Sequence, residues 1–321
     1  MSRTTGLITA AATGAAAAAA AARLAYSAAK QRPPGGTKTW SRTNHRGEPV
    51  TLLEGPALTF GAIAGVLAQA SLGSARSGAA RSGAAMVAAG IGAAALGAYD
   101  DLAGSGDRRG FRGHLGALRH GEVTTGTVKL GGIGVTGIVS AALAGGSPAD
   151  VVIKAGLVAG GANLLNLFDL RPGRAIKVAF ASGALISAAG CRNRSEVGVA
   201  APLAAGLALL PEDLGERAML GDCGANALGA MLGAAAAGLS RPTRIALLAG
   251  IAGLTAASEK VSFTKVIERT SALRWLDILG RRPADPVARV LVPAQRGDPT
   301  FNGAATTFRS AKNTDLTPPE E

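Results

Sequence analysis

Nine apolar blocks recur along the chain, and they constrain the fold more than any other feature of the sequence. Each block is about long enough to cross the hydrocarbon core of a bilayer, and most basic residues lie between blocks. This repetition predicts an all-α, polytopic membrane bundle of about nine transmembrane helices. The blocks cover residues 6–26, 56–72, 83–99, 130–146, 151–168, 175–190, 197–210, 224–239 and 243–258.

The composition excludes several other classes of protein. Aromatic residues make up only 3% of the chain, so a large soluble core would consist almost wholly of small aliphatic side chains. The 46 glycines show no three-residue period, which excludes collagen. The net charge of +12 comes from loops between blocks and not from a basic helix face with interleaved aromatics. We therefore expect no nucleic-acid partner.

The distribution of charge predicts an orientation. With the N-terminus outside, the cytoplasmic segments hold 24 of the 33 Lys and Arg residues and 19 of the 21 acidic residues. The basic excess follows the positive-inside rule, whereas the acidic excess suggests a site on the cytoplasmic face. We expect a multi-pass protein of the plasma membrane. The first block has a second interpretation as a cleaved signal peptide, which leaves the later topology unchanged.

The predicted domain organisation has three parts. Residues 1–259 form the transmembrane domain, with its site at the cytoplasmic face. Residues 260–292 form an amphipathic, interfacial cytoplasmic segment, and residues 293–321 form a disordered tail. Cys191 and Cys223 are expected on opposite membrane faces, which argues against a disulfide.

Carboxylates and a lysine stand at the ends of two of these blocks. Asp100 and Asp101 end the third block, and Lys129 opens the fourth block on the same side. Adjacent carboxylates at a membrane boundary repel each other, and a divalent cation or a nearby lysine offsets that repulsion. Taken singly, the aspartates could be a solvated loop start, and Lys129 could be an ordinary positive-inside anchor.

Further polar residues end the fifth block and precede the eighth. Asn163, Asn166 and Asp169 have helical spacing, so they share one side of a helix. Asp222 lies in a Gly-Asp-Cys-Gly stretch before the eighth block. Helix packing is an alternative role for the two asparagines, and helix capping is an alternative role for Asp222. Together these residues come from separate stretches and fall on one face, as a magnesium–diphosphate site requires.

The same residues spell a known pattern. The chain resembles the polyprenyl-phosphate sugar-1-phosphate transferases of glycosyltransferase family 4 type, which include phospho-N-acetylmuramoyl-pentapeptide transferase and the bacterial N-acetylglucosamine-1-phosphate transferases. Four stretches carry the resemblance. They are Gly-Ala-Tyr-Asp-Asp at 97–101, the partly matching Asn-Leu-Leu-Asn-Leu-Phe-Asp-Leu-Arg-Pro-Gly-Arg at 163–174, Leu-Gly-Asp-Cys-Gly-Ala at 220–225, and the His- and Pro-containing stretch 44–56.

The resemblance implies an activity and a role for each residue. Members of the family join a nucleoside-diphosphate sugar to polyprenyl phosphate with magnesium as cofactor, for cell-envelope polymers such as peptidoglycan. The metal would be held by Asp222 with Asp100 and Asp101, and the catalytic residues would be Asp100, Asp101, Asp169 and Lys129. The substrate would be bound by Asn163, Asn166 and Lys129. The expected partners are polyprenyl phosphate, a nucleoside-diphosphate sugar and the membrane, with a homodimer left open.

The sequence also departs from the family pattern. Pro172 stands where the family has a second aspartate, Arg174 replaces a leucine, and Met219 replaces the usual aromatic residue. The His-rich loop near the C-terminus is missing, because the three histidines of the chain are His45, His114 and His120. The metal and phosphate half of the site is therefore kept, whereas the nucleotide and sugar half is altered.

Two functional hypotheses follow. The first is an active transferase with non-standard donor recognition. The second is a catalytically altered relative that binds polyprenyl phosphate or a lipid-linked precursor and regulates or scaffolds envelope synthesis. The retained carboxylates favour the first hypothesis, and the lost histidines and Pro172 favour the second. A transporter would need charged residues near mid-span, where the sequence has almost none.

Overall fold

A computed structural model describes residues 3–72, 77–103, 125–193 and 198–283, and almost all of its regular structure is helical. Each of the nine predicted blocks falls on a helix. His114, His120, residues 284–292 and the predicted tail lie outside the described residues. In chain order the elements are α1 (Arg3–Gln31), α2 (Thr37–Trp40), β1 (Ser41–Thr43), β2 (Pro49–Thr51), α3 (Glu54–Leu72), α4 (Ser77–Ala103), α5 (Thr125–Ala144), α6 (Pro148–Phe168), α7 (Arg174–Asn193), α8 (Ala200–Leu214), α9 (Gly221–Ala236), α10 (Arg241–Ser258), α11 (Phe263–Arg269) and α12 (Ser271–Ile278).

The helices form a membrane bundle, and among the described residues six of them, or seven with a bent pair, are long and apolar enough to count as spans. Within the described residues, six helices have the length and hydropathy to cross a membrane: α1, α3, α4, α5, α6 and α7. A seventh candidate is α10 taken with α11, across a bend of 92°. At 15 and 16 residues, α8 and α9 reach only about 24 Å, short of the ~30 Å hydrocarbon core. The predicted helical membrane bundle is confirmed, and the predicted count of nine is not.

Helix α9 is the centre of the bundle, and glycines let its neighbours approach closely. Every residue of α9 except Asp222 is buried, and it packs against α3, α4, α6 and α7. A methyl group at Gly229 would overlap the carbonyl oxygen of Gly161 on α6. A methyl group at Gly97 on α4 would overlap the carbonyl oxygen of Asp222. Close packing of small residues therefore fixes the start of α9 against the end of α4.

A small hairpin covers the same end of the bundle. Strands β1 and β2 pair antiparallel, with Arg42 opposite Val50, and Thr51 forms a parallel bridge to Ala218 just before α9. The turn is closed by the side-chain oxygen of Asn44, which accepts hydrogen bonds from the backbone N–H groups of Arg46 and Glu48. The hairpin aims the Arg42 guanidinium at the backbone carbonyl of Asp101.

The segment after α10, residues 262–282, folds back onto the loop between α6 and α7, and we call it the strap. The Phe263 ring stacks on Phe168 at 5.0 Å between centroids. The buried Arg174 guanidinium forms a bidentate pair with Asp277, at 2.8 and 3.0 Å. Arg281 donates to the carbonyl of Pro172 at 2.9 Å and to Asp277 at 2.6 Å. The strap is therefore fastened beside Asp169 mainly by charged groups that are removed from water.

The ion pairs of Asp277 with Arg174 and Arg281, which we call the Asp277 clasp, make the stability of the fold depend on pH. Burial raises the pKa of Asp277, but the hydrogen bond from Arg174 and the charges of Arg174, Arg281 and Lys177 bring it below its ordinary value. Because the pKa of Asp277 is lower in the folded state, its ionised carboxylate adds to the free energy of unfolding. This contribution is complete above the unfolded pKa of about 3.9 and is lost as the pH falls through the folded pKa.

We expect Asp277→Asn to lower the free energy of unfolding by ~3 kcal/mol at neutral pH, because it leaves Arg174 buried without a full counter-charge. The difference from wild type should hold between pH 8 and about 5 and shrink below about pH 4, as measured by unfolding in detergent. Glu268→Gln, at an exposed position of the strap, is the control. A difference that grows on acidification would contradict this account.

Candidate functional site

Four helices bring Asp100, Lys129, Asn166 and Asp222 together at one end of the bundle. The Lys129 ammonium lies 3.4 Å from Asp100 Oδ2 and forms a closer ion pair with Asp222 Oδ2. With its amide oriented to satisfy both neighbours, Asn166 donates to Asp222 Oδ1 at 2.7 Å and accepts from Lys129 Nζ at 3.2 Å. We call these four residues the lysine–carboxylate cluster.

Two carboxylates share one lysine in this cluster. The Lys129 side chain is only 11% exposed, and those of Asp100 and Asp222 are 21% and 26% exposed. Both carboxyl groups contact the same ammonium group, so they lie close to each other. Charges interact more strongly where water is largely excluded, so the carboxylates repel each other strongly unless a cation lies between them. Lys129 supplies that positive charge.

Asp101 has a different environment from its neighbour Asp100. Its two carboxylate oxygens accept hydrogen bonds from the backbone N–H groups of Asp222 and Cys223, at 3.0 and 2.9 Å. These N–H groups belong to the first turn of α9, which has no side-chain cap of its own at Leu220. Asp101 therefore caps α9 from another helix and fixes the position of Asp222.

Asp169 lies next to the cluster, at the C-terminal end of α6. Burial raises the pKa of Asp169 well above its ordinary value, and the negative charges of Asp213, Asp222 and Asp101 raise it further. A hydrogen bond from the Gly221 backbone N–H acts in the opposite direction. Asp169 on α6 and Asp101 on α4 thus both contact the backbone at the start of α9, the turn that presents Asp222.

Asn163 is the one predicted site residue that the structure orients elsewhere. Its amide donates to Thr255 Oγ1 on α10 at 3.4 Å, one helical turn away from Asn166. The observed contact is a helix–helix hydrogen bond, which is the packing alternative already considered for this residue.

Sequence reasoning missed three acidic residues near the site. Glu54 is fully buried, and neither of its carboxyl oxygens has a hydrogen-bond partner among the residues that the structure describes. Asp213 is buried and accepts from the Gly173 N–H at 2.9 Å, and Glu216 pairs with Arg46 at 2.9 Å. Glu54 lies two residues before the second apolar block, and its charge beside that block was the signal that could have identified it.

Basic residues surround the loop that follows Asp169. His45 lies near Arg46, Arg171 and Arg281, and its Nδ1 is 3.9 Å from Glu216. Burial lowers the pKa of His45, and the three arginines lower it further against the opposing effect of Glu216. The imidazole is therefore neutral at pH 7, and the permanent positive charge here comes from arginine.

The cluster can contribute part of a metal site but not a complete one. Within the described residues, no group of three or more His, Cys, Asp or Glu side chains is arranged to hold a metal ion. Asp100 and Asp222 supply two carboxylates and Asn166 supplies an amide oxygen. Magnesium typically completes such a partial set with water and substrate phosphate oxygens.

Comparisons with models of known protein families and with curated proteins give no match to this chain.

The geometry predicts strong coupling between Lys129 and Asp222. We expect Lys129→Gln and Asp222→Asn each to lower the free energy of unfolding, since each removes one partner of a poorly solvated ion pair. The double variant should lose ~2 kcal/mol less than the sum of the two single losses, because the second change no longer breaks an intact pair. Unfolding in mixed detergent micelles measures all four proteins.

The matched control pairs Asp222→Asn with Lys265→Gln, which changes an exposed lysine of the strap. The control pair should be additive. If the losses in free energy of unfolding for Lys129→Gln and Asp222→Asn are also additive, the ion pair does not determine the geometry of this site.

Proposed function

We propose that this protein transfers a sugar-1-phosphate from a nucleoside-diphosphate sugar to polyprenyl phosphate at the cytoplasmic face of the membrane. An oxygen of the lipid phosphate attacks the β-phosphorus of the donor, and the bond from that phosphorus to the bridging oxygen breaks. The products are a polyprenyl-diphosphate sugar and a nucleoside monophosphate. The reaction needs charge neutralisation and positioning more than covalent help from the protein.

The lysine–carboxylate cluster is the observation that carries this proposal. Carboxylates at the end of an apolar bundle are costly in free energy. Here Asp100 of α4 and Asp222 of α9 both contact Lys129 of α5, so three separate helices meet at this point. A phosphate group and a divalent cation fit such a site together, because the cation binds the carboxylates while the lysine turns to the phosphate. The matching stretches at 97–101, 163–174 and 220–225 supply Asp100, Asn166 and Asp222 of the cluster, and the altered residues lie outside it.

Magnesium is the metal that the donor set fits. The Lys129 ammonium lies between oxygens of Asp100 and Asp222, which is the place a small cation would occupy. Asp100 and Asp222 would hold the ion, and Asp101 would position Asp222 through the α9 backbone. When bound, magnesium neutralises charge on the donor diphosphate. Lys129 holds the lipid phosphate, and Asn166 orients Asp222.

The strap and its surroundings are proposed to serve the donor end of the substrate. Arg171 lies two residues after Asp169, and the Arg281 guanidinium reaches the Pro172 carbonyl of the same loop. These arginines offer positive charge beside Asp169, in a chain that lacks the family's His-rich loop. They would bind the nucleotide phosphates in a way that differs from the family pattern.

The proposed orientation places the N-terminus outside and the cluster in the cytoplasm. The distribution of basic residues supports it, as does the position of Arg42, Arg46 and the strap at the same end of the bundle as the cluster. The donor nucleotide would then meet the site from the cytoplasm.

A second candidate function is a non-catalytic relative that binds polyprenyl phosphate or a lipid-linked precursor. The commitment of both Asp101 oxygens to the α9 backbone favours it, because a carboxylate used as a helix cap is not free for chemistry. Such a protein would retain lipid binding and release no nucleotide.

A transferase assay with polyprenyl phosphate, magnesium and a panel of nucleoside-diphosphate sugars distinguishes the two proposed functions. We expect wild type to release nucleoside monophosphate, and Asp222→Asn to lose at least ~100-fold in rate, because it removes a metal carboxylate. Inside-out vesicles should be active and right-side-out vesicles inactive, since the donor does not cross the bilayer.

Glu268→Gln, an exposed change in the strap, should retain full activity. Equal rates for wild type and Asp222→Asn would refute the role of the cluster. Binding of polyprenyl phosphate without release from any donor would select the second function. Activity confined to right-side-out vesicles would reverse the orientation.

A further inference from the structure

Helix α12 has the reverse of the usual pattern of burial. Asp277 is its one buried residue, whereas its large apolar side chains are exposed. Trp275 is 60% exposed, and Leu276 and Ile278 are 50% and 53% exposed. The helix is held by the charged clasp on its inner side and presents an apolar face outwards. A large apolar face of this kind marks an interaction surface.

The preceding helix indicates what lies against this surface. Helix α11 follows α10 across a bend of 92°, and α10 is a membrane-span candidate when taken with α11. With α10 crossing the bilayer, a bend of this size turns α11 along the membrane surface. The exposed Trp275 and Leu276 of the strap are side chains that are stable beside lipid headgroups.

A cavity of about 580 Å³ adjoins the C-terminal end of α12. Its lining includes the apolar side chains of Leu207, Leu210 and Leu214 from α8 together with the basic side chains of Arg217, Arg281 and Arg282. Leu207 is 55% exposed, so the apolar part of the lining continues onto the outer surface of the bundle. Within the described chain, the cavity lining shares no residue with the lysine–carboxylate cluster.

The charged side chains that line the cavity are basic. Among the described residues, the lining includes Arg217, Arg281 and Arg282 and no acidic residue. The three arginines pair with Glu212, Asp277 and Glu48, which lie outside the lining. Two of these carboxylates are shared, because Glu212 also pairs with Arg23 and Asp277 also pairs with Arg174. An anion with an apolar chain complements both parts of this lining.

We propose that this cavity binds an anionic phospholipid of the bilayer, with an acyl chain along the α8 leucines and the phosphate near Arg217 and Arg282. The apolar face of α12 lies in the adjoining headgroup region. Guanidinium groups suit phosphate recognition, and a basic residue near the membrane surface contributes about 1 kcal/mol toward anionic lipid. Arg281 belongs both to this cavity and to the proposed donor end, so occupancy would couple the strap to the composition of the membrane, whereas lipid binding itself can be tested without transferase activity.

Trp275 is a built-in probe of this site. The chain has two tryptophans, Trp40 and Trp275, so Trp40→Phe leaves a single reporter on α12. The full-length variant is reconstituted into phosphatidylcholine vesicles that contain the same small fraction of either brominated phosphatidylglycerol or brominated phosphatidylcholine. We expect brominated phosphatidylglycerol to be enriched about fivefold around Trp275, the equivalent of ~1 kcal/mol, and to quench its fluorescence correspondingly more. Aqueous acrylamide should quench weakly.

Arg217→Gln with Arg282→Gln, added to the reporter variant, should make the two brominated lipids quench equally. Arg192→Gln, an exposed change at the far end of α7, should leave the preference intact. If the arginine variants fail to fold, the two brominated lipids can still be compared in Trp40→Phe alone, and that comparison tests the proposal.

Three results would overturn the proposal. Equal quenching by both brominated lipids would remove the headgroup site. Strong acrylamide quenching with no effect of brominated lipid would place α12 in water. Trp275 could also be protected from both acrylamide and brominated lipid at high protein density. If that protection is lost when the protein is diluted into more lipid, a second copy of the chain, and not lipid, covers the surface.

Discussion

The position of Lys129 between Asp100 and Asp222 is the interaction on which the structure of the candidate site depends. Both carboxylates lie at the end of an apolar bundle and close to each other, so neither is stable there without a cation. The three residues come from α4, α5 and α9, and the ion pairs therefore tie together helices that are distant in the chain. The same requirement for a cation links the architecture to the proposed chemistry.

Helix α9 gives this interaction its precision. Glycine contacts from α4 and α6 bring the neighbouring backbones into direct contact with α9, and Asp101 and Asp169 both contact the backbone at its start. Asp222 is the one residue of this helix that is not buried. A buried helix that exposes a single carboxylate can place that group accurately, because packing leaves the backbone little freedom.

Much of this could be predicted from the sequence, for reasons that differ between residues. The helical bundle was predictable because a bilayer requires long apolar segments, and Asp100, Lys129, Asn166 and Asp222 were predictable because polar groups at block ends are costly. The role of Asp101 as a cap for α9 was not, because it depends on a contact across 121 positions of the chain. Asn163 shares helical spacing with Asn166, yet spacing alone does not say which neighbour a side chain meets. The short helices α8 and α9 were counted as spans because apolar composition does not show where a helix ends.

Binding of Mn²⁺, as a spectroscopic substitute for magnesium, to the purified protein would show whether the lysine–carboxylate cluster is a metal–phosphate site. Electron paramagnetic resonance would compare wild type, Asp222→Asn and Glu268→Gln in the presence of a nucleoside diphosphate. We expect one bound ion in wild type and Glu268→Gln, and at least ~10-fold weaker binding in Asp222→Asn, because the site loses one of its two carboxylates. Equal binding by wild type and Asp222→Asn would show that the lysine–carboxylate cluster is held together by Lys129 alone and is not a metal–phosphate site.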